Sequence, residues 1–180
     1  SLSHNFTLAL SQSSSTNSCE VHFGITSGSF NLAVSGSVKK GSFSHITAFY
    51  DRFNDQRAKL LINDRIFSSS MTKKFESLNY DAADLTIGTG QNARIDGIVF
   101  TNKQTFSGSI DDLKLFHSVD PVNTIKKRKY RSFYASDKDN SLKLYYRFNE
   151  PFGDYTGNDI VLDSSGNSLR ETITNFEISV

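Results

Sequence analysis

The sequence predicts an all-β protein, a two-sheet antiparallel sandwich of the jelly-roll type with one short helix. Apolar and polar residues alternate in many short runs, and strands do not alternate regularly with helices along the chain. Only two prolines occur in 180 residues, and serine and phenylalanine are abundant. A period of two places one face of a strand in the core and the other in solvent. Many short strands without intervening helices favour a sandwich over a parallel α/β sheet.

Ten short runs carry this prediction. In the first, Phe6, Leu8 and Leu10 alternate with small or polar residues, so we expect these three side chains to face the core. Asn63 and Asp64, which tolerate left-handed geometry, separate two apolar runs and predict a tight hairpin. The predicted strands are residues 6–10, 21–25, 30–34, 45–50, 59–62, 65–67, 85–87, 95–100, 110–116 and 142–148.

One helix is predicted over residues 121–131. Asp120 is the expected N-cap, Pro121 suits the first helical position, and Val122 and Ile125 share a face. Cations near the C-terminal end of a helix complement its dipole, although such a run also suits contacts with phosphates. The basic residues of this run are Lys126, Lys127, Arg128, Lys129 and Arg131.

Composition excludes several classes of protein. The net charge is +1, which argues against a dedicated nucleic-acid binder. No apolar stretch reaches the roughly 18 residues of a membrane span, so we expect no membrane insertion. Cys19 is the only cysteine, which excludes an intrachain disulfide and a cysteine-rich zinc site. The length suits one domain over residues 1–180, and the start at Ser1 suits a domain of a larger protein.

The sequence contains no constellation typical of an enzyme or a metal site. Retaining glycosidases need two carboxyl groups about 5–5.5 Å apart. No glutamate has an acidic neighbour at such spacing on a predicted strand, and the adjacent Asp111 and Asp112 point to opposite faces. We therefore predict no catalytic residue, no metal ligand and no cofactor, with the histidines at strand surfaces or turns. The glutamates are Glu20, Glu76, Glu150, Glu171 and Glu177, and the histidines are His4, His22, His45 and His117.

Other short motifs predict turns or carry no function. The Gly88-Thr89-Gly90 and Asp163–Asn167 segments are expected to be tight turns, with Asp163 accepting a backbone N–H two residues on. The sequon at Asn5 is interpreted as coincidental. Because the chain has no tryptophan, an aromatic platform for a sugar would have to use four tyrosine or phenylalanine residues. The sequence pattern does not indicate a binding site at any of them. They are Tyr50, Phe53, Tyr80 and Tyr134.

Read in order, these pieces resemble the concanavalin A-like jelly roll of the laminin G-like and pentraxin group. The strongest match is FSGSIDDLKLFHSVDP at 106–121, an aromatic, Gly, Ile-Asp-Asp, an alternating strand and a short helix. The resemblance covers about residues 5–130. The other matching segments are FTLAL (6–10), FSHITAFYD (43–51), KLLINDRIF (59–67) and LTIGTG (85–90).

A second segment resembles the opening of such a domain but comes last. It is LYYRFNEPFGDYTGNDIVLDSSGNSL at 144–169. Either residues 142–180 supply permuted strands to the same sandwich, or they begin a following repeat. We favour permuted strands, because unpaired strands at the end would leave aggregation-prone edges.

The resemblance also bears on calcium, which pentraxin-like domains bind in the loop before the FSGSID strand. Of the matching positions only Gln104 has a ligand side chain, and Arg94 would repel a cation. We therefore expect no pentraxin-type calcium site. A different site from Asp51, Asn54 and Asp55 remains an alternative. The other matching positions are Asn92, Ala93 and Thr101.

Two functions from different classes follow as expectations. In the first, the chain is a non-catalytic, lectin-like recognition module that binds a glycan or protein surface. In the second, it is a structural domain that contacts other subunits of a large assembly, such as a virion or fibre. A sugar site needs exposed tyrosine beside Asp or Asn, whereas an assembly module needs an apolar patch or a free strand edge. Both place the chain in an extracellular, cell-surface or virion protein.

Overall fold

The computed structural model describes residues 4–12, 16–76, 85–88, 92–101, 106–129, 131, 140–149, 160–167 and 170–172. These ranges are rich in strands and contain one short helix, as the sequence predicts. The elements are β1 (His4–Gln12), β2 (Ser18–Ser27), β3 (Phe30–Lys39), β4 (Ile46–Tyr50), β5 (Ala58–Ile62), β6 (Arg65–Ser68), β7 (Ala93–Ile95), β8 (Ile98–Phe100), β9 (Leu113–Phe116), α1 (Val122–Arg128), β10 (Leu142–Tyr146), β11 (Ile160–Leu162) and β12 (Arg170–Thr172).

The chain divides into two compact units, Ser1–Ser107 and Gly108–Val180. In the first, the described strands form two three-stranded sheets, β1-β2-β3 and β4-β5-β6, and the β7-β8 pair. In the second they form two pairs, β9-β10 and β11-β12. Every one of these strand pairs is antiparallel.

The core of the first unit lies between its two three-stranded sheets. Val21, Phe23 and Ile25 of β2 lie on one face with alternate residues of β3, and this face packs against Leu60 and Ile62 of β5. One face of β4 also packs against this cluster, through three alternate residues. These residues are Ile46, Ala48 and Tyr50.

The outer face of β2 is also covered, which the alternating pattern does not predict. Five consecutive residues, Val21 to Ile25, are buried. The β7-β8 hairpin accounts for this: the Phe100 ring lies 5.5 Å from the His22 ring, and Ile95 would lie 3.0 Å from a Cβ on Gly24. His22 is therefore 3% exposed, and its predicted place at a strand surface is wrong.

The expected burial of the β1 row is also wrong. Phe6, Leu8 and Leu10 pair with Ile25, Phe23 and Val21, so they share the core face of the sheet. Their exposed fractions are nevertheless 42%, 50% and 39%. The cluster between the sheets draws on β2 and β3 but not on β1, so the apolar face of this sheet is wider than the buried cluster.

Two predicted strands of the first unit do not form as single strands, and one hairpin is confirmed. Asn63 has φ of 54° in the turn between β5 and β6, as predicted. Residues 95–100 are not one strand, because Asp96 and Gly97 with positive φ form the turn of the β7-β8 hairpin. Residues 85–87 form no strand, and Leu85 and Ile87 are exposed.

In the second unit, β9 and β10 are shorter than the predicted strands 110–116 and 142–148. Asp112 has φ of 55°, which ends strand geometry just before Leu113. Tyr145 of β10 is fully buried and donates a hydrogen bond of 2.6 Å from its hydroxyl to Asp112. Asp163 accepts from the backbone N–H of Ser165 at 2.9 Å, which confirms the predicted turn.

The helix is shorter than its prediction and capped differently. It spans Val122–Arg128 with Pro121 at the N-cap, and no side chain makes a capping hydrogen bond. The predicted cap by Asp120 is wrong, because that carboxylate forms an ion pair with Arg128 at the other end of the helix. The basic last turn is confirmed.

Candidate functional site

The strand β1 and its apolar row form the candidate site. β1 lies at one end of the order β1-β2-β3 and pairs only with β2 among the described strands. Phe6, Leu8 and Leu10 recur at every second residue, so they form a straight line of apolar side chains about 7 Å apart. We call this line the β1 row. Such a row at a sheet end combines main-chain hydrogen-bonding groups with a side-chain surface.

The composition of β1 suits its edge to pairing with another strand. The nine residues of the strand contain no Lys, Arg, Asp, Glu or Pro. Natural edge strands are commonly protected by charges, proline or a bulge, and an uncharged edge is a template for another strand. Its register with β2 runs unbroken from His4 to Gln12, without a bulge. The chemistry available here is strand addition, with the β1 row as the side-chain contact.

The loop after β4 is a weaker candidate, because its polar groups bind one another. Asp51 accepts hydrogen bonds from the backbone N–H of Phe53 at 2.9 Å and of Asn54 at 3.1 Å, and from the Asn54 amide. The Asn54 amide is the main cause that lowers the pKa of Asp51 below its ordinary value. Asp55 forms ion pairs with Lys59 and Arg57. The carboxylates of this loop therefore already bind neighbouring groups of the protein.

One aromatic side chain of this loop faces solvent. Phe53 is 76% exposed, and the Arg52 guanidinium carbon lies 5.0 Å from the centre of its ring. An exposed ring beside a cation suits a polar ligand with an apolar face, such as a sugar. This pair keeps the glycan hypothesis open.

The tyrosine proposed for a sugar platform is structural. The Tyr50 hydroxyl donates to the Lys73 carbonyl at 2.6 Å and accepts from the Phe75 N–H at 3.1 Å. Its ring lies 5.4 Å from the ring of Phe75. Tyr80 and Tyr134 lie outside the described residues. Among the described residues, therefore, no predicted platform tyrosine is brought to an exposed surface.

A Ser–His–Glu group on the outer face of β2 has the residue types of a hydrolase but not the geometry. Ser11 Oγ lies 2.8 Å from His22 Nε2, and Glu20 lies 3.8 Å from that same nitrogen. In a catalytic triad the carboxylate binds the other ring nitrogen and so orients the imidazole. Here Glu20 instead accepts a hydrogen bond of 2.8 Å from Ser35. The group ties three strands together.

The described residues hold no group of three His, Cys, Asp or Glu side chains suited to a metal ion. Of the positions matched to a pentraxin calcium loop, Arg94 is an exposed residue of β7 and Gln104 lies outside the described ranges. Of the three loop residues of the alternative site, Asp51 and Asn54 are hydrogen-bonded to each other, and Asp55 is paired with Lys59 and Arg57.

The basic run at the C-terminal end of α1 is partly neutralised within its own unit. Arg128 binds Asp120 and stacks 5.5 Å from the ring of Phe116. Lys126, Lys127 and Arg128 lie in the last turn of the helix, where they complement its dipole. No helix in the described part of the chain has the length and apolar character to cross a membrane.

The β1 row was predicted as core, and its availability was missed. The alternating pattern identifies a shared face but not what covers it. A usable signal did exist, since β1 lacks charge on both faces while β3 ends at Lys39.

Comparison with known proteins supplies no relative: no family model, no curated protein and no solved structure matches this chain.

Proposed function

We propose that this chain is a non-catalytic binding module that holds a protein ligand at the edge of β1. The observation that carries the proposal is the half-exposed β1 row on a strand without formal charge. An extended segment laid along β1 gains main-chain hydrogen bonds, and its alternate side chains cover the row. Such a module suits the larger extracellular, cell-surface or virion protein that the sequence leads us to expect.

The proposal includes the finer architecture, a two-sheet jelly roll similar to the laminin G-like and pentraxin group. The shared apolar cluster between the β1-β2-β3 and β4-β5-β6 sheets supports it. In this arrangement β1 supplies the part of the core face that the second sheet leaves open. A protein ligand at β1 would therefore complete a core that is already built on β2 and β3.

Glycan recognition is the second candidate, and the exposed Phe53 beside Arg52 favours it. A sugar face would stack on the Phe53 ring, and the guanidinium would bind hydroxyl or acidic groups. The protein ligand is preferred because the polar groups next to Phe53, on Asp51 and Asn54, are already bonded to each other.

The test is a selection of phage-displayed random peptides on the whole protein, with glycans arrayed in parallel. Leu8→Lys places a charge in the middle of the β1 row. Asn5→Lys adds the same charge to the same strand, but on the opposite face, where Asn5 is exposed. Circular dichroism establishes that each variant is folded before binding is measured.

We expect enriched peptides with alternating apolar residues that bind wild type and Asn5→Lys alike, and bind Leu8→Lys at least about tenfold more weakly. Amide shifts on peptide binding should map to β1. Peptides that bind all three proteins equally, or no enrichment on protein that sediments as a monomer, would overturn the proposal. Glycan binding that survives Leu8→Lys and is lost in Phe53→Ala would establish the second candidate instead.

A further inference from the structure

We propose that the strand seated on β1 is the β1 strand of a second copy of this chain, paired antiparallel about a twofold axis at Leu8. This inference rests on the proposed function of the β1 edge. It names the partner, which the proposed function leaves open.

The sequence of β1 is complementary to itself in this register. With Leu8 opposite Leu8 of the second copy, Phe6 lies opposite Leu10. Directly opposed residues of an antiparallel pair lie on one face with Cβ atoms about 4.5–5.5 Å apart. Each half-exposed side chain of the β1 row therefore meets an apolar partner. Aromatic and aliphatic residues opposed in this way stabilise a strand pair.

Charge favours β1 over the edge strands β3 and β6 for this contact. Self-pairing brings each residue type against its own copy, so like charges on the strand would oppose each other. β1 has no Lys, Arg, Asp or Glu between His4 and Gln12. β3, at the other end of the sheet, ends at Lys39, and β6 begins at Arg65. β4, the other end strand of these two sheets, is also uncharged, but it has five residues against the nine of β1, so β1 offers the longer neutral edge for a twofold contact.

The size of the contact is adequate for a specific dimer. An antiparallel ladder over nine residues forms about eight main-chain hydrogen bonds, and a typical protein interface has about ten. The two β1 rows would also join into one apolar surface of six side chains. Because the contact is twofold, the same edge is used up on both copies, which gives a closed dimer rather than a fibre.

The test combines sedimentation of the wild-type protein with cross-linking at the axis. Cys19 is the only cysteine, so Cys19→Ser gives a background without thiols. In that background Leu8→Cys places two thiols opposite each other across the axis. Asn5→Cys is the matched control, since Asn5 would face Ser11 of the second copy and lie six positions from the other Asn5.

We expect the wild type to form a concentration-dependent dimer. The dissociation constant of this dimer should be at least about tenfold higher for Leu8→Lys. Leu8→Cys should oxidise rapidly to a disulfide-linked dimer, whereas Asn5→Cys should not. The proposal that a second copy pairs with β1 is overturned if the wild-type protein stays monomeric at every concentration, or if both cysteine variants cross-link equally. If peptides still bind at β1 in that case, the proposed function stands. If neither peptides nor a second copy bind, both fall.

Discussion

Gly36 of β3 lies so close to Ile62 of β5 that a Cβ atom on the glycine would be 2.7 Å from the Ile62 Cδ1 atom. Two ring carbons of Phe67 would lie at 3.0 Å. These distances are below normal van der Waals contact, so the two sheets approach each other here because the glycine has no side chain. The φ angle of Gly36 is not positive, so close packing rather than backbone geometry requires glycine at this position.

Gly36→Ala should destabilise the protein by about 1–3 kcal/mol, because the added methyl group overpacks the contact between the sheets. Denaturant unfolding measures the loss. Ser37→Ala, one residue on and exposed, should change stability by no more than about 0.5 kcal/mol. Combining Gly36→Ala with Ile62→Val removes the nearest atom, so the two changes should cost less together than their sum. Simple additivity would contradict the close contact.

Tyr145→Phe should cost about 1.5–3 kcal/mol, the range for a hydrogen bond to a charged group. The hydroxyl donates to Asp112 Oδ1 at 2.6 Å, and the tyrosine is fully buried. A double-mutant cycle with Asp112→Asn measures the pair by thermal unfolding. Asparagine tolerates the positive φ of Asp112, so this variant keeps the local backbone. A coupling energy near zero would show that the bond does not stabilise the fold.

Asn63 should tolerate glycine better than alanine. Its φ of 54° favours residues that adopt left-handed geometry, and its side chain accepts a hydrogen bond of 3.0 Å from the His45 N–H. Asn63→Ala loses both features and should cost about 1–2 kcal/mol from the backbone conformation alone. Asn63→Gly loses only the hydrogen bond. Equal stability of the two variants in urea would mean that the turn geometry contributes nothing.

Asp51 provides a pH dependence of known sign. The Asn54 amide lowers its pKa below the ordinary aspartate value in the folded chain. A lowered carboxyl pKa gives stability that is present above the unfolded value and is lost as the pH falls through the folded one. Asn54→Ala should therefore raise the Asp51 pKa, measured by carboxyl ¹³C titration. Asn63→Ala changes an amide in a different turn and is the control. An unchanged pKa in Asn54→Ala would contradict the assigned cause.

Local sequence patterns predicted the turns and strands of this protein better than they predicted which side chains are buried. The hairpin at Asn63 and the turn at Asp163 were predictable because short polar side chains act on their own backbone. Residues 95–100 form two strands rather than one because Asp96-Gly97, a strong hairpin signal, interrupts the apolar alternation. The helix end at Asp120 was misjudged because its carboxylate pairs with Arg128 instead.

The exposure of Leu8 and the burial of His22 could not be predicted from local patterns. Both positions follow the period of two, and both depend on which element lies over the sheet. His22 is buried because Phe100 of the β7-β8 hairpin packs over it, whereas Leu8 lies outside the buried cluster between the two sheets. The width of one sheet relative to another is a property of the assembled fold, so the candidate site appeared only with the structure.

The position of β2 determines which part of the first unit opens last. It is hydrogen-bonded on both sides, and its residues from Val21 to Ile25 are buried on both faces. Amide protons there meet solvent only when neighbouring strands separate and the cover is lost. Hydrogen exchange at these residues therefore reports the global free energy of unfolding, while exchange along β1 reports how readily its edge is released. One exchange experiment can thus distinguish the scaffold from the surface that it presents.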